Sequence, residues 1–258
     1  MLDEIVRRKE QEVAAAKARL PFDELKARLA RHAAERSFRA ALEVPGKLSL
    51  IAELKRKSPS RGMLRERFDP VSLAQTLEGA GAAALSVLTD EPYFGGHLDF
   101  LRDAKQFTEI PALRKDFIVD PYQVYEAALY EADAVLLIVR LLSDAQLAAC
   151  LQAAGGLGLD ALVEVHAEEE LTRAVRAGAR VIGINHRDLD TFTMDPDLSA
   201  RLMPKIPAGK VVVAESGVQT AEDVRRMRRL GVHAVLVGEA LMTAPDPAAK
   251  VRELFAGT

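Results

Sequence analysis

A closed (β/α)8 (TIM) barrel preceded by an N-terminal helical extension is the fold class that this 258-residue chain predicts. Three observations carry the prediction. From Leu48 onward, short apolar segments rich in β-branched residues alternate with amphipathic helical stretches, and eight such strands can be placed. The length lies where an α/β barrel runs as one domain. The rival architecture, a doubly wound open sheet, calls for a glycine-rich dinucleotide turn after an early strand, and GxGxxG is absent. Gly155-Gly156-Leu157-Gly158 contains GxG, but it lies at a helix end before a strand and reads as a C-cap and turn.

In chain order, residues 1–47 form the extension. Two amphipathic helices, Leu2–Arg19 and Phe22–His32, are separated by Pro21 and cover one end of the barrel as a lid or plug. The segment around Arg36-Ser37-Phe38 is a candidate to reach the active site, which the sequence does not decide. Residues 48–258 form the barrel, with strands Ser49–Lys55, Ala83–Leu88, Ala112–Lys115, Ala134–Val139, Ala161–Val165, Val181–Asn185, Val211–Glu215 and Ala234–Val237. The helical stretches are Pro70–Ala80, His97–Phe107, Tyr122–Glu131, Asp144–Ala154, Glu168–Ala177, Thr220–Leu230 and Glu239–Leu254. No fixed-period solenoid repeat occurs.

Composition narrows the function classes. With 49% hydrophobic and 28% charged residues and a formal charge of -3, the chain offers neither a nucleic-acid surface nor a polybasic membrane surface. Arg225, Arg226, Arg228 and Arg229 interleave with Val224, Met227 and Leu230 at helical spacing, which makes them a wet helix face. The one cysteine, Cys150, sits in an Ala/Leu-rich run and reads as a core residue of a reducing compartment. The five histidines show no metal-ligand spacing. The N-terminus mixes acids with bases and lacks a continuous apolar segment, and no run approaches the ~20 apolar residues of a membrane span. A cytoplasmic protein without metal or cofactor is expected.

Catalytic groups of this fold come from strand C-termini and the loops after them. Polar residues collect there in this chain. In Leu50-Ile51-Ala52-Glu53-Leu54-Lys55, period-two alternation places Glu53 and Lys55 on one face, ahead of a cationic loop, Arg56 to Gly62, suited to closing over an anion. Lys115 shares a face with Leu113, and Glu164 stands out of phase with Val163 and Val165, so both point into the barrel. An inward charge must be paired or titrate abnormally. The sixth strand ends in Asn185-His186-Arg187-Asp188-Leu189 and the seventh in Glu215-Ser216-Gly217. A single strand-end Lys or Glu is ordinarily a solvated rim charge. Two lysines and three glutamates converging on one mouth form an acid/base set.

Glu215 to Thr220 leads into a helix with a Thr220…Asp223 capping pattern, and Gly238-Glu239 leads directly into the last helix. Loops after strands seven and eight, with glycine for close approach and exposed helix N–H groups, favour phosphate. Tyr93-Phe94-Gly95-Gly96 offers an aromatic wall on a flexible loop at the same mouth. The residues by themselves therefore describe a cofactor-free, metal-free barrel enzyme doing acid/base chemistry on a small phosphorylated compound, and leave open whether that compound is aromatic.

The stretches IAELKRKSPSRG, SVLTDEPYFGG, LRKDFIVDPYQ, ADAVLLIV, LVEVH, GINHRDL, VAESGV and VLVGEALM, in this order from about Ile51 to Met242, together resemble the indole-3-glycerol phosphate synthase family of tryptophan biosynthesis. The resemblance implies decarboxylating, dehydrating ring closure of 1-(2-carboxyphenylamino)-1-deoxyribulose 5-phosphate. It implies Lys115 as the general acid at the ribulose carbonyl and Glu164 as stabiliser of the cationic intermediate and partner in proton transfer. Glu53 and Lys55 position substrate and complete dehydration, and Asn185 and Ser216 orient polar groups, supported by Arg187 and Glu215. Ser216, Gly217, Gly238 and Glu239 bind phosphate largely through backbone N–H groups, with Ser58, Pro59 and Ser60 of the mobile loop nearby. Phe94 and Phe117 hold the anthranilate ring, and Leu189 and Leu236 complete the substrate set. His186 and Glu239 depart from the small polar residues frequent in the family, so at Glu239 only the backbone contact carries over. A monomer is expected, with a weak dimer as alternative. The other readings are a sibling barrel such as phosphoribosylanthranilate isomerase or a Schiff-base aldolase, and a catalytically silent barrel that holds a phosphorylated metabolite.

Overall fold

The computed structural model describes residues 2–29, 34 and 36–257. Eight parallel strands close into a barrel: β1 (Ser49–Leu54), β2 (Ala84–Leu88), β3 (Ala112–Lys115), β4 (Ala134–Ile138), β5 (Asp160–Val165), β6 (Val181–Asn185), β7 (Val211–Glu215) and β8 (Ala234–Val237). β1 pairs with both β2 and β8, for example Ile51 with Ala84 and Ile51 with Leu236, so no edge is left unpaired. Alternation divides each strand between two cores. Ile51, Leu113, Leu162, Val213 and Leu236 fill the interior, whereas Leu50, Val135, Val163, Val212 and Val235 pack outward against the helices.

The strand and helix positions agree with expectation to within a few residues. The largest departure is at the C-terminus, where one helix Glu239–Leu254 was expected. Two form instead, Glu239–Met242 and Pro247–Leu254, because Asp246 caps a new start with Pro247 in its first turn. Helices Glu91–Phe94 and Leu198–Leu202 were not expected; the first begins at an Asp90 cap followed by Glu91-Pro92. The Arg56–Gly62 segment is a small hairpin, with Lys57–Ser58 antiparallel to Gly62–Met63, rather than an open loop. The Gly155–Gly158 turn ends its helix as expected.

The N-terminal segment spans the barrel from one mouth to the other. α1 (Leu2–Arg19) lies by the C-terminal ends of the strands, and α2 (Phe22–Arg28) packs on the helix Pro121–Leu129. His32, the expected end of α2, lies outside the described residues. Tyr122 donates its hydroxyl to the carbonyls of Ala16 and Leu20, pinning the α1–α2 corner. α3 (Phe38–Leu42) then plugs the opposite end: Phe38 and Leu42 are fully buried beneath the interior core. This corrects the expectation for Arg36-Ser37-Phe38. The Arg39 N–H and Ser37 hydroxyl donate to Asp160 at the start of β5, and the Arg36 guanidinium donates to the Ile110 carbonyl ahead of β3. That segment sits at the strand N-termini, on the far side from the polar mouth.

Cys150 is buried, and burial pushes its thiol up to about 12. Val224 and Met227 are buried beneath the arginine-rich face, as the spacing predicted. No helix among the described residues is long and apolar enough to cross a membrane.

Candidate active site

The C-terminal mouth holds a cleft that is open to solvent. The site residues that the resemblance implied line it, from Glu53, Lys55, Ser58, Pro59 and Ser60 through Phe94, Lys115, Phe117, Glu164, Asn185, Arg187 and Leu189 to Glu215, Ser216, Gly217, Leu236, Gly238 and Glu239; Tyr93 and the Arg36–Phe38 segment do not. The inward phase of each strand brings them together, because the residue two positions beyond an interior core residue must face the same lumen.

At the centre stands Lys115, the last residue of β3. Its Nζ lies 3.3 Å from Glu164 Oε2 and 3.6 Å from Glu215 Oε2. Burial disfavours its ammonium, but Glu164, Glu215 and Glu53 outweigh burial and hold the lysine above its usual range. Glu164 is fully buried; burial opposes its ionisation, yet Lys115 and His166 keep it well below the usual carboxylate range. Glu215 goes the other way. Burial and the neighbouring Glu164 charge push it up to about 8, so it carries a proton at neutral pH. The two carboxyls titrate as a pair that shares one proton. Glu53 and Lys55 form a second ion pair at 2.7 Å.

Two glycines make room for these carboxylates. Gly183, the inward residue of β6, faces Glu215, and a Cβ there would overlap its carboxylate. Gly238, just past β8, does the same for Glu53.

Ser216 and Gly217 have positive φ angles of 64° and 83°, a conformation that costs a non-glycine residue about 1–3 kcal/mol and gathers backbone N–H groups beyond β7. The Ser216 hydroxyl donates 2.8 Å to Asn185 Oδ1, which also accepts from the Arg187 N–H. The Glu239 carboxylate stands 3.6 Å from Arg187 and 3.5 Å from Arg61 of the hairpin. Two cations thus flank one carboxylate at this end of the cleft, which leaves a net positive charge there.

The opposite wall is aromatic. Phe94 and Phe117 lie with ring centroids 6.0 Å apart. Each is set by an aspartate absent from the sequence-based site. Asp90 Oδ1 accepts from the N–H groups of Tyr93 and Phe94, so the expected flexible loop is a capped helical turn. Asp116 Oδ1 accepts from the Phe117 N–H, while its Oδ2 accepts from Thr89 and Arg114. Lys9 of α1 joins the two aspartates, 2.8 Å from Asp90 and 2.9 Å from Asp116. Arg114 and Lys9 hold Asp116 well below the usual range despite burial.

Lys9, Asp90, Asp116, Gly183 and His166 are the residues that sequence reasoning missed. Lys9 had a visible signal: it interrupts the stripe Ile5, Val13, Ala16 at helical spacing, and a lysine on a buried stripe requires carboxylate partners. Among the described residues, no group of three or more histidines, cysteines or carboxylates is arranged to hold a metal ion.

A barrel mouth with a charged lysine between carboxylates of opposite protonation, an anion-attracting end and an aromatic wall defines a (β/α)8-barrel enzyme of acid–base type acting on a small phosphorylated compound. Its family follows from comparison: the profile described as indole-3-glycerol phosphate synthase matches residues 2–254, and the chain belongs to that family. Among similar proteins, the indole-3-glycerol phosphate synthase of Roseiflexus castenholzii is 48% identical over 262 aligned positions, covering 98% of this chain and 97% of its own. That of Carboxydothermus hydrogenoformans is 45% identical and covers 99% of each chain. Among solved structures, 3-hexulose-6-phosphate synthase from Salmonella typhimurium aligns with a TM-score of 0.65 at 16% identity, over 80% of this chain and 96% of that one, a likeness of fold alone.

Proposed function

We propose that the cleft closes the indole ring of 1-(2-carboxyphenylamino)-1-deoxyribulose 5-phosphate through Lys115 as proton donor, with Glu164 and Glu215 dividing the remaining proton transfers. The observation that carries this reading is the Lys115–Glu164–Glu215 triangle at the end of the aromatic wall. As the ring carbon bearing the carboxylate attacks the ribulose C2 carbonyl, a new C–C bond forms and the carbonyl oxygen gains charge; the Lys115 ammonium supplies its proton. The carboxylate then leaves as CO2 and its bonding electrons restore the aromatic ring. The C2 hydroxyl departs as water with a second proton, pushed by the ring nitrogen, and loss of a C1 proton completes the indole. We assign stabilisation of the cation formed in dehydration to ionised Glu164, and proton carriage in that step to Glu53 with Lys55. Net, one proton is taken up with release of CO2 and water.

The phosphate is assigned to the turns at Ser216–Gly217 and Gly238–Glu239, with Arg187, Arg61 and the Ser58–Ser60 hairpin around it. Phe94 and Phe117 take the anthranilate ring, with Leu189 and Leu236 as its apolar neighbours. A lysine held charged by its neighbours is a poor Schiff-base nucleophile, which weighs against the aldolase alternative. We read residues 1–47 as an extension serving a catalytic barrel of residues 48–258, and the working unit as a cytoplasmic monomer. The test is incubation with the carboxyphenylamino-deoxyribulose phosphate, following indole fluorescence. Appearance of the fluorescence with CO2 release supports the reading. A borohydride-trapped covalent adduct without indole overturns it.

A further inference from the structure

His166 is the first residue past β5, and it lies two positions after Glu164, so its side chain emerges on the same side of the strand. The side chain is 3% exposed. Its Nε2 stands 3.3 Å from Glu164 Oε1, and its Nδ1 stands 3.3 Å from Glu170 Oε2, the oxygen that also accepts from its backbone N–H at 2.7 Å. The contacts on Glu164 are therefore divided: Oε1 faces His166, and Oε2 faces Lys115. Glu170 in turn accepts from Arg140 at 2.9 Å, and Arg140 donates to Asp188 at 3.0 Å. A run of alternating charges thus extends from Lys115 through Glu164, His166, Glu170 and Arg140 to the loop that carries Arg187. The proposed reaction uses only the inner end of that run.

We propose that His166 is a positioning residue for the ring closure: set between Glu164 and Glu170, it holds Glu164 Oε1 and so keeps Oε2 on Lys115. The inference rests on Glu164 and Lys115 acting as read above. Electrostatics agree with the geometry. Burial alone would strip the imidazolium, but Glu164 and Glu170 outweigh it and raise His166 to about 9. The charged groups around it are Glu164 from β5, Glu170 from the helix Glu168–Arg176 and, behind that, Arg140; Lys115 and Glu215 act on it through Glu164. Without the cation, Glu164 would keep its charge buried beside Glu215 with Lys115 and Asn185 left to compensate. The shared proton would then move toward Glu164, and the acid limb of the kcat profile would climb toward neutrality.

Two measurements test this. Histidine-labelled NMR of the enzyme without substrate should show one ring, missing from H166N, that titrates near pH 9, and its midpoint should fall by a unit or more in E164Q. A ring at 166 titrating near the ordinary histidine value of about 6.5, or one indifferent to E164Q, overturns the proposal. In steady-state assays H166N should lower kcat roughly 10- to 100-fold with KM nearly unchanged, and its acid limb should move upward. H166F should lower kcat further, and H166Q guards against a folding defect in either variant. A variant with an unmoved acid limb marks His166 as a packing residue and overturns the proposal. If wild-type enzyme makes no indole product, the ring-closure reading itself fails, whereas the NMR titration still reads the His166–Glu164 contact.

Discussion

Lys115 illustrates how a side chain acquires a role from three neighbours. Alone at a strand end it would be a solvated rim charge; between Glu164 and Glu215 it is held charged, the form that the proposed proton donor needs. K115A should therefore lower kcat by about 10²–10⁴-fold while the far-ultraviolet circular dichroism stays that of the wild type. Near-wild-type turnover would remove Lys115 from the acid role. Gly183 bears on the same cluster from the other side. A methyl group on the inward face of β6 overlaps the Glu215 carboxylate, which must then swing away from Lys115. G183A should lower kcat at least about tenfold, with a smaller change in KM, because it displaces a proton-transfer group and touches no aromatic or phosphate contact. Steady-state kinetics of the two variants separate loss of the acid from misplacement of its partner.

Among the elements, α1 is the one whose part in the site was hardest to see. Its periodicity was legible, and so was the odd lysine in its apolar stripe, but the partners are Asp90 and Asp116, far along the chain and on two different strand ends. Period-two alternation works for β1, β3, β5, β6 and β7 because each strand carries its own reference for inside and outside. No such reference tells which end of a barrel an N-terminal segment covers, and this is why Arg36-Ser37-Phe38 was a candidate for the mouth that it does not reach. His166 escaped notice for a related reason: its spacing from Glu164 is legible, but Glu170, which with Glu164 holds it charged, comes from another element. Lys9 is 4% exposed and ties down the aspartates that set Phe94 and Phe117. K9M leaves those buried carboxylates partly uncompensated, at about 3–5 kcal/mol. A Tm lower by roughly 5–15 °C is expected by differential scanning calorimetry. KM should rise several-fold as the aromatic wall loosens. K9M/D90N removes opposite charges together and should recover more of the Tm than of the KM; a KM unmoved in both variants would show that α1 stabilises the barrel without shaping its site.

At the scale of the whole molecule, an apolar interior supports a buried cluster of like carboxylates at one mouth, and this cluster ties stability to pH. Glu215 is raised from about 4.3 in an unfolded chain to about 8, so the stability it contributes is complete below about pH 4.3 and is lost as pH rises through 8. His166 is raised from about 6.5 to about 9, so its contribution is complete below about pH 6.5 and is lost as pH rises through 9. Asp116 is depressed, so its contribution is present above about pH 3.9 and is lost as pH falls below that. Together these shifts predict a Tm that is highest in the mildly acidic range and declines toward pH 9. E215Q separates the contributions. A glutamine at that position cannot ionise beside Glu164, so the alkaline decline that belongs to Glu215 should vanish and leave only the part due to His166. Relative to wild type, the variant's Tm should therefore gain ground steadily between pH 5 and pH 8.5 in calorimetric scans at low ionic strength. Parallel curves would mean that Glu215 titrates normally and that the carboxylate pair shares no proton. If the curves diverge as expected, E215Q should gain alkaline stability while losing turnover, because the buried carboxyl whose ionisation destabilises the fold is the one proposed to pass a proton in the reaction.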